Sequence, residues 1–401
     1  MAIIVREDYL KKLQRCIGKD RIVVLTGQRR VGKSFMLKQL IEVYSDDPAN
    51  NIIYIDKENK GFDSIRTYHD LNEYITSHFV EGKRNFILID EVQEIEDFEK
   101  SVRSWRTEEN TDVIITGSNA KMFSRQLSTL IGGRYTEIEI RPLDYREFLI
   151  FHQLGDSDES LAKYIQFGGM PGLVKIGLEL PDSFQYLNDV INTALLKDIV
   201  ICNKIRNAEF MERLTSFVAD NTGKPIAAAN IARFMKSRGS AVSTDLIIAY
   251  LGYLCDAYIT DAVKRFNIHG RKLLETNEKY YFEDHGIRNA LIGWSREGDI
   301  EKILENIVYN ELRRRGYNVT VGSLQAGEID FVAEQTAGGR VYIQVSYLIA
   351  DETTRKREFG NLLSIKDSYP KYVISMTPLV TRQDNNGITH ISLREFLIHG
   401  L

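Results

Sequence analysis

The chain is poor in cysteine: Cys16, Cys202 and Cys255 are the only three in 401 residues. They lie far apart with no C-x-x-C spacing, which argues against a disulfide framework or a zinc site and fits a reducing compartment. No run of about 18 apolar residues occurs, so no membrane-spanning helix is expected. The opening residues carry charge at Arg6, Glu7 and Asp8, and no apolar stretch follows them. A secretory signal is therefore not expected, and the cytoplasm is the default location. Net charge is -4, so there is no overall basic excess, and any nucleic-acid surface must be a local patch. Internal repeats, low-complexity tracts and a serine-nucleophile elbow are lacking as well. The seven histidines show no metal-ligand pattern, and His285 beside Asp284 reads as structural.

What remains is the composition of a folded protein: 43% hydrophobic, 27% charged and 10% aromatic. The length exceeds one ordinary core, so two or three domains are expected. Residues 21–140 alternate strand runs, at Ile22–Thr26, Ile52–Asp56, Phe86–Asp90 and Val113–Thr116, with stretches long enough for crossover helices. That alternation predicts a parallel sheet with helices on both faces. Residues 144–220 read as helical, broken at Gly168-Gly169-Met170-Pro171-Gly172. Two short helices follow, then strand runs at Tyr258–Phe266 and Lys279–Asp284. Residues 300–316 hold Ile303, Leu304, Ile307, Val308 and Leu312 on one helical face. Strand runs at Asn318–Val321, Glu328–Ala333, Val341–Val345 and Tyr372–Met376 complete the pattern, with a polar helix at 351–367.

Residues 27–34 read Gly-Gln-Arg-Arg-Val-Gly-Lys-Ser, a G-x-x-x-x-G-K-S loop. Ile22–Thr26 leads in as a strand. After Ser34 a helix carries Met36, Leu37, Leu40, Ile41 and Tyr44 on one face. Glycines let backbone N–H groups turn around phosphate oxygens, and the helix N-terminus adds its positive dipole end. Lys33 is placed to reach the β- and γ-phosphates, and the Ser34 hydroxyl to ligate magnesium. The expected nucleotide contacts are Gly27, Gln28, Arg29, Arg30, Val31, Gly32, Lys33, Ser34 and Phe35. For Arg29 and Arg30 a domain-interface salt bridge is the equal alternative. At average usage of roughly 7% Gly, chance produces this pattern in a chain this long on the order of one time in a hundred.

Phe86–Asp90 followed by Glu91 is an apolar strand ending in two acids. Charge is tolerated there because the carboxyl edge of a parallel sheet opens to ligand. Asp90 is the expected magnesium partner, and Glu91 the group that orients or deprotonates water, with Gln93 sharing that task. Asn119 or Ser118, after the next strand, is the candidate sensor of the γ-phosphate. Arg134, after Gly132-Gly133, is the candidate arginine finger, in its own subunit or a neighbour's. It follows a helical pattern carrying Phe123, Leu127, Leu130 and Ile131.

Several stretches together resemble the prokaryotic AAA+-like ATPases of uncharacterised role. They are Gly27-x-Arg29-x-Val31-Gly32-Lys33-Ser34, Leu88-Ile89-Asp90-Glu91-x-Gln93, Thr116-Gly117-Ser118 and Gly132-Gly133-Arg134-Tyr135. Arg141-Pro142-Leu143-x-x-x-Glu147-Phe148, Gly168-Gly169-x-Pro171, Tyr280-x-Phe282-x-Asp284-x-Gly286 and Glu328-x-Asp330-Phe331 extend the likeness over nearly the whole chain. The resemblance implies ATP binding, a winged-helix segment and a restriction-endonuclease-like end. The expected architecture is α/β: a P-loop NTPase core with a parallel sheet at 1–145 and a helical lid at 146–205. A winged-helix domain at 206–295 and a small restriction-endonuclease-like domain at 296–401 would follow.

Two features qualify the later domains. In the segment expected as winged helix, Ile226–Lys236 and Thr244–Cys255 flank a turn at 237–243, and Ser243 or Thr244 caps the second helix. That second helix carries Leu246, Ile247, Ile248, Tyr250, Leu251 and Leu254, where a groove reader needs polar or basic residues. Lys236, Arg238, Lys264, Arg265, Arg271 and Lys272 are the cations available for phosphates. At the end of the chain, Glu305 and Asp330, with Glu328 beside the latter, stand where a PD-(D/E)xK nuclease holds metal. Gln344 and Ser346 occupy the places of its second acid and its lysine, so a degenerate fold is expected. The expected cofactors are ATP and Mg2+. DNA or a protein is the possible partner, an oligomer is compatible, and a membrane is not expected.

Overall fold

Continuous apolar runs form strands buried on both faces, and the first sheet is built from them. Its strands are β1 (Ile22–Thr26), β2 (Asn50–Asp56), β3 (Arg84–Asp90), β4 (Thr111–Thr116) and β5 (Tyr135–Glu139). The order is β2-β3-β4-β1-β5, and all four pairings are parallel. The computed structural model describes residues 4–119, 133–205, 207–237, 242–294, 296–325, 327–336 and 338–401. Phe123, Leu127, Leu130, Ile131, Gly132 and Arg238 lie outside them.

Alternate residues of β1 to β4, among them Val24, Ile55, Ile87 and Ile115, face the helices Tyr68–His78 and Phe98–Trp105 through Leu71, Ile75, Phe98 and Val102. The opposite parity meets the helix Lys33–Tyr44, where Tyr44 stacks on Phe86 with ring centroids 4.7 Å apart. Both faces are thereby covered, and the free edge of the sheet is its carboxyl end. β5 is an addition to the strands expected from sequence. Its alternation of polar residues suits a strand paired on one side only, to β1.

The chain divides into two units: residues 1–141 with Asp256–Tyr258, and Pro142–Cys255 with Ile259–Leu401. The second begins with helices, including Tyr145–His152, Asp158–Phe167, Asp182–Ala194, Ala208–Asp220, Ala228–Ser237 and Thr244–Asp256. An eight-stranded sheet follows: β6 (Thr260–Asn267), β7 (Lys272–Phe282), β8 (Tyr317–Leu324), β9 (Gly327–Gln335), β10 (Arg340–Ser346), β11 (Lys371–Ser375), β12 (Arg382–Asn385) and β13 (Ile388–Ser392). Its order is β12-β13-β11-β10-β9-β8-β6-β7. The helix Arg296–Arg314 packs on one face through Ile303, Leu304, Ile307 and Val308. The helix Glu352–Leu363 covers the other through Phe359 and Leu362.

This sheet bears on the expected boundary at 295. The strand runs within the segment expected as winged helix are β6 and β7, and β6 pairs in parallel with β8 at Arg265↔Val321, Phe266↔Gly322 and Asn267↔Ser323. The sheet therefore crosses residue 295, and both 205 and 295 fall inside one unit. The physical reason is edge satisfaction: β6 supplies partners for the backbone of β8 that would otherwise stand open. The glycine break and the 280–286 stretch also meet in this unit. Buried Asp284 accepts the Gly169 N–H at 2.7 Å and the Ile287 N–H at 2.9 Å, while His285 Nε2 lies 2.7 Å from the Tyr164 carbonyl oxygen.

Candidate functional site

The loop between β1 and the helix Lys33–Tyr44 is shaped by two glycines. Gly27 has φ +133°, and a Cβ there would stand 2.2 Å from the Ile140 carbonyl oxygen. Gly32 has φ +103°, forms the N-cap of the helix, and gives its carbonyl to the Met36 N–H. Both conformations are closed to side-chain-bearing residues. Between them Val31 is fully buried, Arg29 is half-buried and Arg30 is exposed with φ +64°. Arg29 Nη1 lies 3.9 Å from Glu58 Oε1. Phe35 is 49% exposed, in the first turn of that helix.

Lys33 is buried, and its ammonium donates to the Gly27 carbonyl at 2.9 Å and the Gln28 carbonyl at 3.0 Å. The ammonium is thus folded into the mouth of its own loop. The Gln28 side chain is buried too, and neither its amide nitrogen nor its oxygen finds a hydrogen-bond partner among the described residues. An orphaned buried amide costs roughly 1–3 kcal/mol, which marks this loop as a place built for a further polar partner.

β4 lies between β1 and β3, so the end of β4 separates the loop from the two acids. Thr116 closes that gap. Its hydroxyl donates to Asp90 Oδ1 at 2.5 Å and accepts the Glu91 N–H at 2.9 Å. Burial pushes the Asp90 carboxyl above its ordinary range, while hydrogen bonds from Ser34 and Thr116 pull it back. Glu91 adopts a left-handed backbone, φ 53° and ψ 52°. That conformation costs about 1–2 kcal/mol for a non-glycine residue, and the Thr116 hydroxyl helps hold it. The Gln93 amide donates to Glu91 Oε2, and the Gln93 oxygen is buried without a partner among the described residues. Ser118 and Asn119 are buried just beyond β4.

Loop amides, an ammonium, a hydroxyl beside a buried carboxylate and a second carboxylate share one edge of a parallel sheet. These are the donors and acceptors that a magnesium-bound nucleoside triphosphate requires. A profile of the family described as "AAA domain" matches residues 19–149. An uncharacterised protein of Haemophilus influenzae is 34% identical over 381 residues, spanning 93% of this chain and 94% of that protein.

The chain belongs to the AAA+-like P-loop ATPases.

A second relative, an uncharacterised protein of Methanocaldococcus jannaschii, is 28% identical over 84% of this chain and 77% of its own length. A Walker-type ATPase of Pyrococcus abyssi shares the fold, with TM-score 0.50 and 15% identity over 72% of this chain and 96% of that one. Residues 158–298 match a profile described as "Domain of unknown function (DUF8612)". No helix among the described residues is long and apolar enough to cross a membrane.

Arg134 is not brought to the P-loop. Its carbonyl accepts the Ile22 N–H at 3.2 Å, and β5 runs parallel to β1 from Ile22↔Tyr135 onward. Arg134 therefore stands, exposed, at the amino edge of the sheet, whereas the loop leaves the carboxyl edge. At about 3.3 Å per residue, the length of β1 separates the two by at least ~13 Å. The expected finger role in its own subunit is corrected accordingly. Thr116 is the residue the sequence did not single out. The available signal was a hydroxyl ending an apolar strand, and its importance depends on the strand order.

In the second unit of this family member, the carboxylates at the expected nuclease position are held by an ammonium. Lys279 of β7 is buried, with its Nζ 3.1 Å from Glu305 Oε1 and 2.6 Å from Glu328 Oε1. The Tyr281 hydroxyl also donates to Glu305. Burial pulls the Lys279 ammonium down, but Glu305, Asp330 and Glu328 outweigh it and hold the group above its ordinary range. Burial, then Glu305, raises Asp330 far above the usual carboxylate range, while the Val345 N–H donates to it at 2.8 Å. Gln344 Oε1 and Ser346 Oγ have no partner among the described residues. Among the described residues, no cluster of three or more His, Cys, Asp or Glu side chains is arranged to hold a metal ion. Of the candidate phosphate-gripping cations, Arg265 is drawn into the sheet beside Glu328 at 3.8 Å and Ser323 at 3.5 Å. Lys236, Lys264, Arg271 and Lys272 are exposed.

Proposed function

We propose that the first unit binds ATP with Mg2+ and hydrolyses it. The observation that supports this most is the Thr116 hydroxyl, which joins Asp90 and Glu91 beside Ser34 at the open edge of the sheet. Main-chain N–H groups from Gln28 to Phe35, and the Lys33 ammonium once it exchanges its two carbonyl partners, hold the triphosphate tail. Ser34 and Asp90 hold the magnesium, which when bound offsets the phosphate charge and polarises the terminal phosphoryl group. Glu91, oriented by Gln93, takes a proton from the water that attacks the terminal phosphorus. The bond to the bridging oxygen then breaks, leaving ADP and phosphate. Asn119, buried just past β4, is the residue placed to sense that phosphate.

Glu91→Gln should keep ATP affinity within about twofold and reduce phosphate release by a factor of 100 or more. Equal turnover in the variant and the parent refutes the assignment of Glu91.

For the second unit, the helix Thr244–Asp256 exposes Leu246 at 42% and Ile248 at 56%. Apolar side chains at that place support a protein partner rather than DNA. A salt-sensitive shift of duplex DNA by this protein counts against that choice.

A further inference from the structure

The planar trans peptide points its C=O and its N–H in opposite directions. A loop that turns N–H groups towards an anion therefore turns the carbonyls of the same peptides away from it. A carbonyl turned away in this manner, where it is buried, needs a donor of its own. The question for this loop is what supplies it.

At the Val31–Gly32 peptide the donor is Arg6, 25 residues earlier, whose Nη1 donates to the Val31 carbonyl at 3.2 Å. Arg6 is only 3% exposed, an unusual place for a guanidinium. Its position is fixed from several sides. The guanidinium carbon lies 4.5 Å from the centroid of the Tyr9 ring, a cation–π contact. Tyr9 is itself buried, and its hydroxyl accepts the Arg141 N–H at 3.1 Å just beyond β5. Further along the P-loop helix, the Gln39 amide donates to the Ile4 carbonyl at 3.0 Å. Residues 4–9 thus form a strap tied to the loop, to its helix and to the exit of β5, all within the first unit.

We propose that Arg6 is a positioning residue of the nucleotide site. By fixing the Val31 carbonyl behind the loop, it points the Gly32 N–H of the same peptide towards the phosphate tail. Its charge, buried beside the loop main chain, also adds attraction for that tail. The inference rests on the reading of residues 27–34 as a nucleotide site.

The test compares the parent protein with Arg6→Met, Arg6→Gln and Arg6→Lys, using Lys33→Ala as the control. Two readouts are taken well below the melting temperature: the Kd for ATP with Mg2+ by titration calorimetry, and the Kd for inorganic tripolyphosphate. Circular dichroism checks that each variant is folded. Arg6→Met, which keeps the packing and loses the donor, should weaken both ligands about tenfold or more, the scale of one charged hydrogen bond. Arg6→Lys and Arg6→Gln, which restore a donor, should recover part of the loss. Loss of tripolyphosphate affinity in step with ATP affinity places the effect on the tail, which a general loosening of the fold does not predict. If Arg6→Met binds both ligands like the parent while Lys33→Ala does not, the inference is overturned and the site reading stands. If Arg6→Met proves insoluble, parent-like affinity in both Arg6→Gln and Lys33→Ala overturns the site reading as well. A drop in Arg6→Gln that Arg6→Lys reverses assigns the effect to the buried charge and supports the proposal.

Discussion

Replacing Thr116 by valine keeps the shape of the side chain and removes one hydroxyl with two duties. The Glu91 N–H loses its acceptor at 2.9 Å, and the Asp90 carboxylate loses a donor at 2.5 Å. An unsatisfied buried N–H costs roughly 1–3 kcal/mol, and a hydrogen bond to a charged group contributes about 1.5–3 kcal/mol. The two are neighbours and not additive, so the expected loss of unfolding free energy is about 2–4 kcal/mol. A second effect follows from the sign of the Asp90 shift. Burial already raises that carboxyl, and the Thr116 bond is one of two that oppose it. The variant should therefore hold a proton on Asp90 to higher pH and need more Mg2+ at neutral pH. Raising the pH should narrow that difference, because deprotonation restores the magnesium partner. Urea denaturation at fixed pH measures the first effect, and Mg2+ titration of nucleotide binding at two pH values measures the second. Thr116→Ser, which keeps the hydroxyl, should stay within about 1 kcal/mol of the parent. Valine and serine variants that are equally stable and share one Mg2+ dependence would refute the bridging role.

Two further predictions concern the second unit. Lys279→Met strips the ammonium from Glu305 and Glu328, and breaking such a buried pair should cost about 3 kcal/mol or more, read as a lower urea midpoint; an unchanged midpoint sinks this account. Glu311, buried beside Asp144, is pushed up from 4.5 to about 7 despite Arg315 and Arg314. The folded state then holds a proton that the unfolded state has released. The stability this contributes is full below about pH 4.5 and is lost as pH rises through 7, on the order of 3 kcal/mol by linkage. Stability of Glu311→Gln relative to the parent should accordingly improve between pH 5 and pH 8, and a difference independent of pH contradicts the assignment.

The phosphate loop was legible because it is local: eight consecutive residues with a buried strand before them and an amphipathic helix after. Asp90 and Glu91 were legible for a related reason, since charge directly after Phe86–Ile89 makes sense only at the open edge of a sheet. What depends on strand order was not. Thr116 matters because β4 lies between β1 and β3, and Arg134 fails because β5 is parallel to β1 and starts at the far edge. β5 itself carries polar residues on alternate positions, as a strand paired on one side does, and so lacks the apolar run that betrays its neighbours. The pairing of β6 with β8 joins segments more than fifty residues apart in sequence, with β7 and a long helix between them. Lys279 meets Glu305 and Glu328 only through that sheet, so Glu305, Glu328 and Asp330 read as metal ligands in isolation although their cation is a side chain. Arg6 stood in the sequence as a charge near the amino terminus. Its contact with Val31 is a tertiary fact that no local pattern carries.

Calorimetric titration of ATP with Mg2+ into the parent protein and into Lys33→Ala tests the central claim most directly. The ammonium now bonded to the Gly27 and Gln28 carbonyls is the one group that must turn to the phosphates. Saturable one-site binding in the parent, weakened at least a hundredfold in the variant, is the predicted result. Equal binding heats in the two proteins, or none in the parent, would contradict it.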